Sequence, residues 1–191
     1  MRGYAAASLL AVATIAAPAT AATVVFNGDT TGDPTFNRPL TTTSLSGVGT
    51  AVPYEVTGFT VNVAGSYQLN LDALAASPLY DTFLALYSGS FNAASPLANI
   101  LAVDDDGGPA SNSQITFTLN TGVNYFAVAT GFDNTDFGLY ALTIAGPGTA
   151  TRIGSTPAVP EPASWAMMLV GFGAVGYSLR RKGCTRLVQA V

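Results

Sequence analysis

Apolar and polar residues alternate with a period of two through much of the middle of the chain. Phe59, Val61 and Val63 are separated by Thr60 and Asn62. Tyr67, Leu69 and Leu71 alternate with Ser66, Gln68 and Asn70, and Ile115, Phe117 and Leu119 with Thr116, Thr118 and Asn120. Successive side chains of a strand point to opposite faces, so this pattern predicts strands with one face buried and one wet. Three further runs, 82–87, 124–130 and 139–144, are apolar on both faces and predict central strands. Gly, Asn, Asp and Pro clusters at 28–34, 64–65, 104–109, 120–122 and 131–136 punctuate these runs as turns. No amphipathic helix interrupts them. About eight strands in one chain predict an all-β fold, a single jelly-roll-like β-sandwich over 22–145. Residues 146–159, rich in Gly, Pro, Thr and Ser, read as a flexible linker.

The two ends follow another pattern. Arg2, the apolar run 5–17 and Ala19-Thr20-Ala21 have the order of a secretory signal peptide over 1–21, cleaved after Ala21 or Ala22. At the other end, 163–179 is apolar apart from Ser164, Ser178 and the Tyr177 hydroxyl. Its length is near the lower limit for a membrane-spanning helix, so one C-terminal transmembrane helix is expected. Trp165 and Tyr177 lie near its two ends, where amphipathic rings favour the headgroup level. Arg180, Arg181 and Lys182 follow at once and predict a cytoplasmic tail, with everything before Pro160 across the membrane.

Charge narrows the partners. Only 9% of the residues are charged, and between 22 and 159 Arg38 and Arg152 alone oppose ten acidic side chains. An acidic middle lacks the basic face that a phosphate backbone requires, so no nucleic acid is expected; metal cations or neutral sugars fit better. The chain has no His and one Cys, Cys184. An internal disulfide is therefore excluded, and the usual general base at neutral pH is missing. The reading is non-enzymatic.

Pro160-Glu161-Pro162, then Trp165-Ala166, then the apolar run and Arg180-Arg181-Lys182 together resemble the PEP-CTERM sorting signal in its PEPxxWA form, over 160–191. That resemblance implies export, transient anchoring in the inner membrane and handling by an exosortase-type membrane enzyme, in bacteria that make extracellular polysaccharide. The prolines on either side of Glu161 keep the backbone extended, a form that a processing enzyme can grip.

A second resemblance covers about half of the expected mature chain. Asp81-Thr82, Leu84-Ala85-Leu86-Tyr87, Asp105-Asp106-Gly107-Gly108, Ser113 and Gly138-Leu139-Tyr140 are similar to the pattern of bacterial pre-peptidase C-terminal domains and related jelly-roll modules. The resemblance implies an accessory module that binds calcium, polysaccharide or a neighbouring domain.

Asp104-Asp105-Asp106-Gly107-Gly108 is the main concentration of chemistry. Adjacent carboxylates repel unless neutralised, and calcium takes hard oxygen ligands from such a loop. Asp81 and Asp72, each at a strand end, are candidates to complete the site, and Asp133 with Asp136 is a weaker second candidate. An exposed, solvated turn is the alternative. Aromatic side chains near turns, Tyr80, Phe91, Phe132 and Phe137, either stack on sugar or plug the ends of the core, the core being favoured. The functional expectation is an exported surface or matrix protein associated with extracellular polysaccharide or biofilm. The alternatives are a purely structural surface protein without a ligand and, further off, a glycan-active enzyme.

Overall fold

The computed structural model describes residues 21–74, 80–110 and 112–154, together with 168, 170–173 and 175–177. Residues 1–20 of the expected leader, the Pro-Glu-Pro and Trp-Ala elements and the basic tail lie outside these residues. The chain divides into two units, Met1–Ile153 and Gly154–Val191.

The first unit is built from β1 (Ala22–Asp29), β2 (Thr35–Phe36), β3 (Pro39–Thr41), β4 (Ser44–Leu45), β5 (Val52–Val61), β6 (Gly65–Ala73), β7 (Thr82–Ser88), β8 (Ile100–Asp104), β9 (Ser113–Leu119), β10 (Tyr125–Gly131), β11 (Leu139–Gly146) and β12 (Ala150–Arg152). One sheet has the order β1-β11-β6-β9, and the other β12-β5-β10-β7-β8, with β2 also on β5. Every ladder is antiparallel. The pairings nest around the β7–β8 hairpin: β6 meets β9, β5 meets β10, and β1 meets β11. This unit is thus a long two-stranded ribbon wrapped into two facing sheets.

Alternation in sequence becomes burial in space. Tyr67, Leu69 and Leu71 of β6, Ile115 and Leu119 of β9, and Tyr140, Leu142 and Ile144 of β11 all face the interior. They meet Phe59, Val61, Leu84, Leu86, Tyr125 and Ala127 from the opposite sheet. Each large apolar side chain removed from water there contributes about 1.5–3 kcal/mol before the cost of ordering it.

The apolar runs of β7 and β10 have a separate cause. Their sheet is buried on both faces, and a second cluster of Phe36, Val52, Phe83, Ala85, Tyr87 and Val128 lies on its outer side. The segment carrying β2 to β4 and the loop after β7 supply its cover. Phe91 from that loop packs edge-on against Tyr87, Tyr54 and Phe36, with ring centroids 4.9, 5.3 and 5.7 Å away.

Several expectations are corrected. The run 139–144 is not buried on both faces: β11 alternates, with Ala141 and Thr143 only partly covered between Tyr140, Leu142 and Ile144. Small residues on its outer face gave the impression of a continuous apolar strand. Val63 lies beyond the end of β5 and is 42% exposed. The stretch from 146 begins as the end of β11, and residues 150–152, expected in the linker, form β12 against Val61, Thr60 and Phe59 of β5. Three residues are too few to show a period.

Residues 168, 170–173 and 175–177 of the second unit are helical and exposed. Among the described residues, no helix is long and apolar enough to cross a membrane. Most of the expected span, 163–179, lies outside them.

Candidate functional site

The β7–β8 register assembles the acidic site. Leu84 pairs with Asp104, so the chain leaving β8 runs back past the start of β7. Asp105 and Asp106 thereby reach Asp81, which immediately precedes β7. One carboxylate oxygen from each of the three lies within 4.8 Å of the others. Residues more than twenty apart in sequence become one cluster through a strand pairing.

Side-chain alternation separates Asp104 from this group. Its Oδ2 accepts the Gly107 N–H at 2.8 Å and the Gln114 N–H at 2.7 Å, which folds the glycine turn back onto the start of β9. Asp72 lies in the other sheet, and its Oδ1 accepts the Asn112 Nδ2–H at 3.1 Å. Asn112 Oδ1 in turn accepts the Ala73 N–H at 3.1 Å. Asp104 and Asp72 therefore shape the loop, and the facing group is Asp81, Asp105 and Asp106.

The 132–136 turn clasps the same place. Asp136 accepts the Asp81 N–H at 3.3 Å and the Asp133 N–H at 3.0 Å, while Phe132 N–H donates to Asp81 O at 2.9 Å. Asp133 Oδ1 is occupied by the Thr135 N–H at 2.6 Å and hydroxyl at 2.7 Å. Asp133 and Asp136 thus tie the turn and position Asp81.

Beneath the acidic group, Thr82 and Ser113 join the two sheets. Ser113 N–H donates to Thr82 Oγ1 at 2.9 Å, and Ser113 Oγ donates to Thr82 O at 2.9 Å. Both residues are fully buried. The Asp-Thr pair, the acidic turn and Ser113 at the start of β9, which are far apart in sequence, occupy one spot.

Arg38 is the residue that sequence reasoning missed. It is 1% exposed, the largest fully buried side chain in the sandwich. Its Nε–H donates to Phe132 O at 2.8 Å and its Nη1–H to Pro39 O at 3.0 Å. The guanidinium carbon stands 4.0 Å from the Phe83 ring centre and 4.8 Å from that of Phe132, a cation held between two π faces. Burial pushes its pKa down, opposed by the nearby charges of Asp105, Asp81 and Asp136. A signal was present: Arg38 is the sole basic residue between Arg2 and Arg152.

The carboxyls respond to burial and to one another. Asp105 is pushed up to about 6, first by loss of hydration and then by Asp81 and Asp106, with Arg38 opposing. Asp81 is raised for the same leading reason, then by Asp106 and Asp136, again against Arg38. Oδ1 of Asp81 and Oδ1 of Asp105 are buried and have no hydrogen-bond partner among the described residues. Such orphaned oxygens beside a third carboxylate match the donor set of a hard divalent cation.

The aromatic candidates for sugar stacking are mostly engaged elsewhere. Tyr80 belongs to the inner core, Phe91 to the outer cluster, and Phe132 lies against Arg38. Phe137 is 42% exposed.

Residues 158–182 match the PEP-CTERM protein-sorting motif. The motif marks a chain that is exported and sorted to the outside of the cell through recognition by an exosortase-type membrane enzyme. No curated protein matches the chain. The likeness of the central strands to pre-peptidase C-terminal domains has no counterpart in these comparisons.

Proposed function

We propose that this chain is a non-catalytic surface or matrix module, a jelly-roll sandwich displayed outside the cell, stapled by calcium and associated with extracellular polysaccharide. The observation that carries the reading is the sorting motif at 158–182, which supplies the route. The nested strand pairing supports the jelly-roll reading. In calcium's case, Asp81, Asp105 and Asp106 would hold the ion, which would replace the missing partners of the buried oxygens and tie the β8–β9 loop to the start of β7.

Polysaccharide association draws support from the outer face of the four-stranded sheet. Register places Thr23, Ala145, Gln68 and Thr116 in one row, and Val25, Thr143, Asn70 and Gln114 in the next. Neither row carries a charge, and hydroxyl and amide groups exchange hydrogen bonds with sugar hydroxyls at little desolvation penalty. The direct test is titration of residues 22–154 with purified neutral polysaccharides in calcium buffer. Saturable binding is expected, weakened about tenfold or more by Gln68→Glu with Thr116→Glu, in line with the ~1.4 kcal/mol that a tenfold change represents. Absence of binding to every polysaccharide, the producing cell's own included, would leave a structural surface protein without a ligand.

Processing is tested separately. Replacing Glu161 with Ala is expected to leave the chain at its full precursor length and held in the membrane fraction, while the native chain is shortened and released. Equal processing of both forms would show that recognition does not use Glu161.

A further inference from the structure

β1 is an outer strand of its sheet, and it lacks the devices that blunt such edges. It spans eight residues, ATVVFNGD, without Pro, Lys or Arg, and its register with β11 runs without a bulge. The two edges of the other sheet are blunted. β12 has three residues and ends in Arg152, and β8 runs into the aspartate turn. β9, the opposite edge of the same sheet, has its Gln114 N–H taken by Asp104, much as the Asp29 N–H of β1 is taken by Glu55, and it differs from β1 in lacking a self-complementary sequence.

The direction of the free groups follows from two hydrogen bonds. Thr30 N–H donates to Gly138 O on the β11 side, whereas Asp29 N–H points the other way, to Glu55 Oε2 at 3.2 Å. In an antiparallel strand the N–H and C=O of one residue leave on the same side, alternating along the chain. Thr23, Val25 and Asn27 therefore present theirs outward, where no described residue bonds to them. The Val25 side chain is 52% exposed.

We propose that a second copy of this chain docks on this edge, β1 against β1, antiparallel about a two-fold axis beside Val25. The sequence of the edge is self-complementary in that register. Val25 opposes Val25 of the second copy, and the Thr23 hydroxyl opposes the Asn27 amide. The half-buried Val24 and Phe26, on the inner face, come together and gain cover. Charge agrees as well. Removal of the expected leader after Ala21 creates an α-ammonium at Ala22, and the same register sets it beside Asp29 of the second copy. Two four-stranded sheets become one continuous sheet, joined by an isologous contact that closes on itself. Pairing then follows export, because the uncleaved leader places no ammonium at Ala22.

Residues 22–154 hold the core clusters and every ladder of the sandwich among the described residues, so this fragment contains what an independently folding unit requires. Sedimentation velocity across a concentration series is expected to show a reversible monomer–dimer equilibrium. Val25→Pro removes an outward N–H and leaves the β11 ladder intact, so it should raise the dimer Kd roughly tenfold or more with an unchanged circular dichroism spectrum. Val25→Lys keeps the backbone donor and sets like charges opposite each other, and it should also yield monomer. Thr116→Pro, the same change at an outward position of β9, should leave the dimer intact. The proposal is overturned if the native fragment stays monomeric throughout, if Val25→Lys dimerises as the native chain does, or if Thr116→Pro alone abolishes pairing. Should Val25→Pro fail to fold, the Lys variant decides.

Discussion

Arg38→Met is expected to destabilise the sandwich by about 2–4 kcal/mol, the scale of losing two buried hydrogen bonds from a charged donor. Methionine keeps the length of the apolar stem between Phe83 and Phe132. It cannot donate to Phe132 O or Pro39 O, which would then be buried acceptors short of a donor. It also removes the positive charge that opposes the upward shifts of Asp81 and Asp105. A fall in Tm of roughly 10 °C follows from the size of the domain. Arg38→Lys should fall between the two, since an ammonium keeps the charge and loses the planar fork. Calcium should narrow the gap between Met variant and native protein, because the ion takes over neutralisation of the carboxylates. Thermal unfolding with and without calcium checks both statements. A Met variant within about 1 kcal/mol of native would mean that water satisfies the two carbonyls and that the guanidinium is not needed to hold the turn.

The legible and illegible parts of the fold differ for physical reasons. Strands β6 and β9 and the 57–61 end of β5 show period two because one face is at least partly open, and β7 and β10 show none because both faces are covered. What covers the outer face is not written in any period. It is the segment of short strands from β2 to β4 with Arg38 between them, whose placement depends on pairs such as Arg38 N–H to Gly49 O at 3.0 Å. The acidic site was half legible. Three consecutive aspartates pointed to the turn, and Asp81 was a candidate to complete it. Period two, applied one step further, separates Asp104 from Asp105 at the end of β8, because neighbours in a strand face opposite ways. Asp72 needed knowledge of the sheets, since β6 and β7 are successive in the chain yet lie in different layers. Gly131 shows the same dependence on tertiary context: a Cβ there would strike the Asp136 backbone, so the turn that positions Asp81 requires the smallest residue.

These assignments link the buried cation to the acidic cluster. Arg38 fixes Phe132, the Phe132 N–H holds Asp81 O, and Asp81 faces Asp105 and Asp106. On the proposed reading, a calcium ion held by the three carboxylates would compensate this group and tighten the place where β8, β7 and β9 meet.

Stability in chelator should fall as pH rises from about 4 to 7, and calcium should reverse the trend. The folded pKa of Asp105, about 6, lies above its unfolded value near 3.9, and Asp81 is shifted the same way. Protons therefore bind the folded state more tightly. Their contribution is complete below the unfolded pKa and is lost as pH passes through the folded one. For half-buried groups, solvent screening reduces the loss to on the order of 1–2 kcal/mol. Asp29 and Asp133 oppose it only at the acid end, since hydrogen bonds from Thr31 and Thr135 lower them, and their contribution disappears below the window in question. On the proposed reading, calcium would compete with those protons. At a free concentration of a hundred times Kd it should add about 2.7 kcal/mol near neutral pH, and much less at pH 5. Asp105→Asn gives the sharpest reading. Without calcium it should raise Tm at pH 7, because it deletes a carboxylate forced to ionise in a poor place. With calcium it should fall below native, because a ligand is gone. A ligand residue gives that crossover, whereas one serving only as a hydrogen-bond acceptor lowers Tm in both buffers. Parallel curves for the native protein in calcium and in chelator would remove the ion from this site.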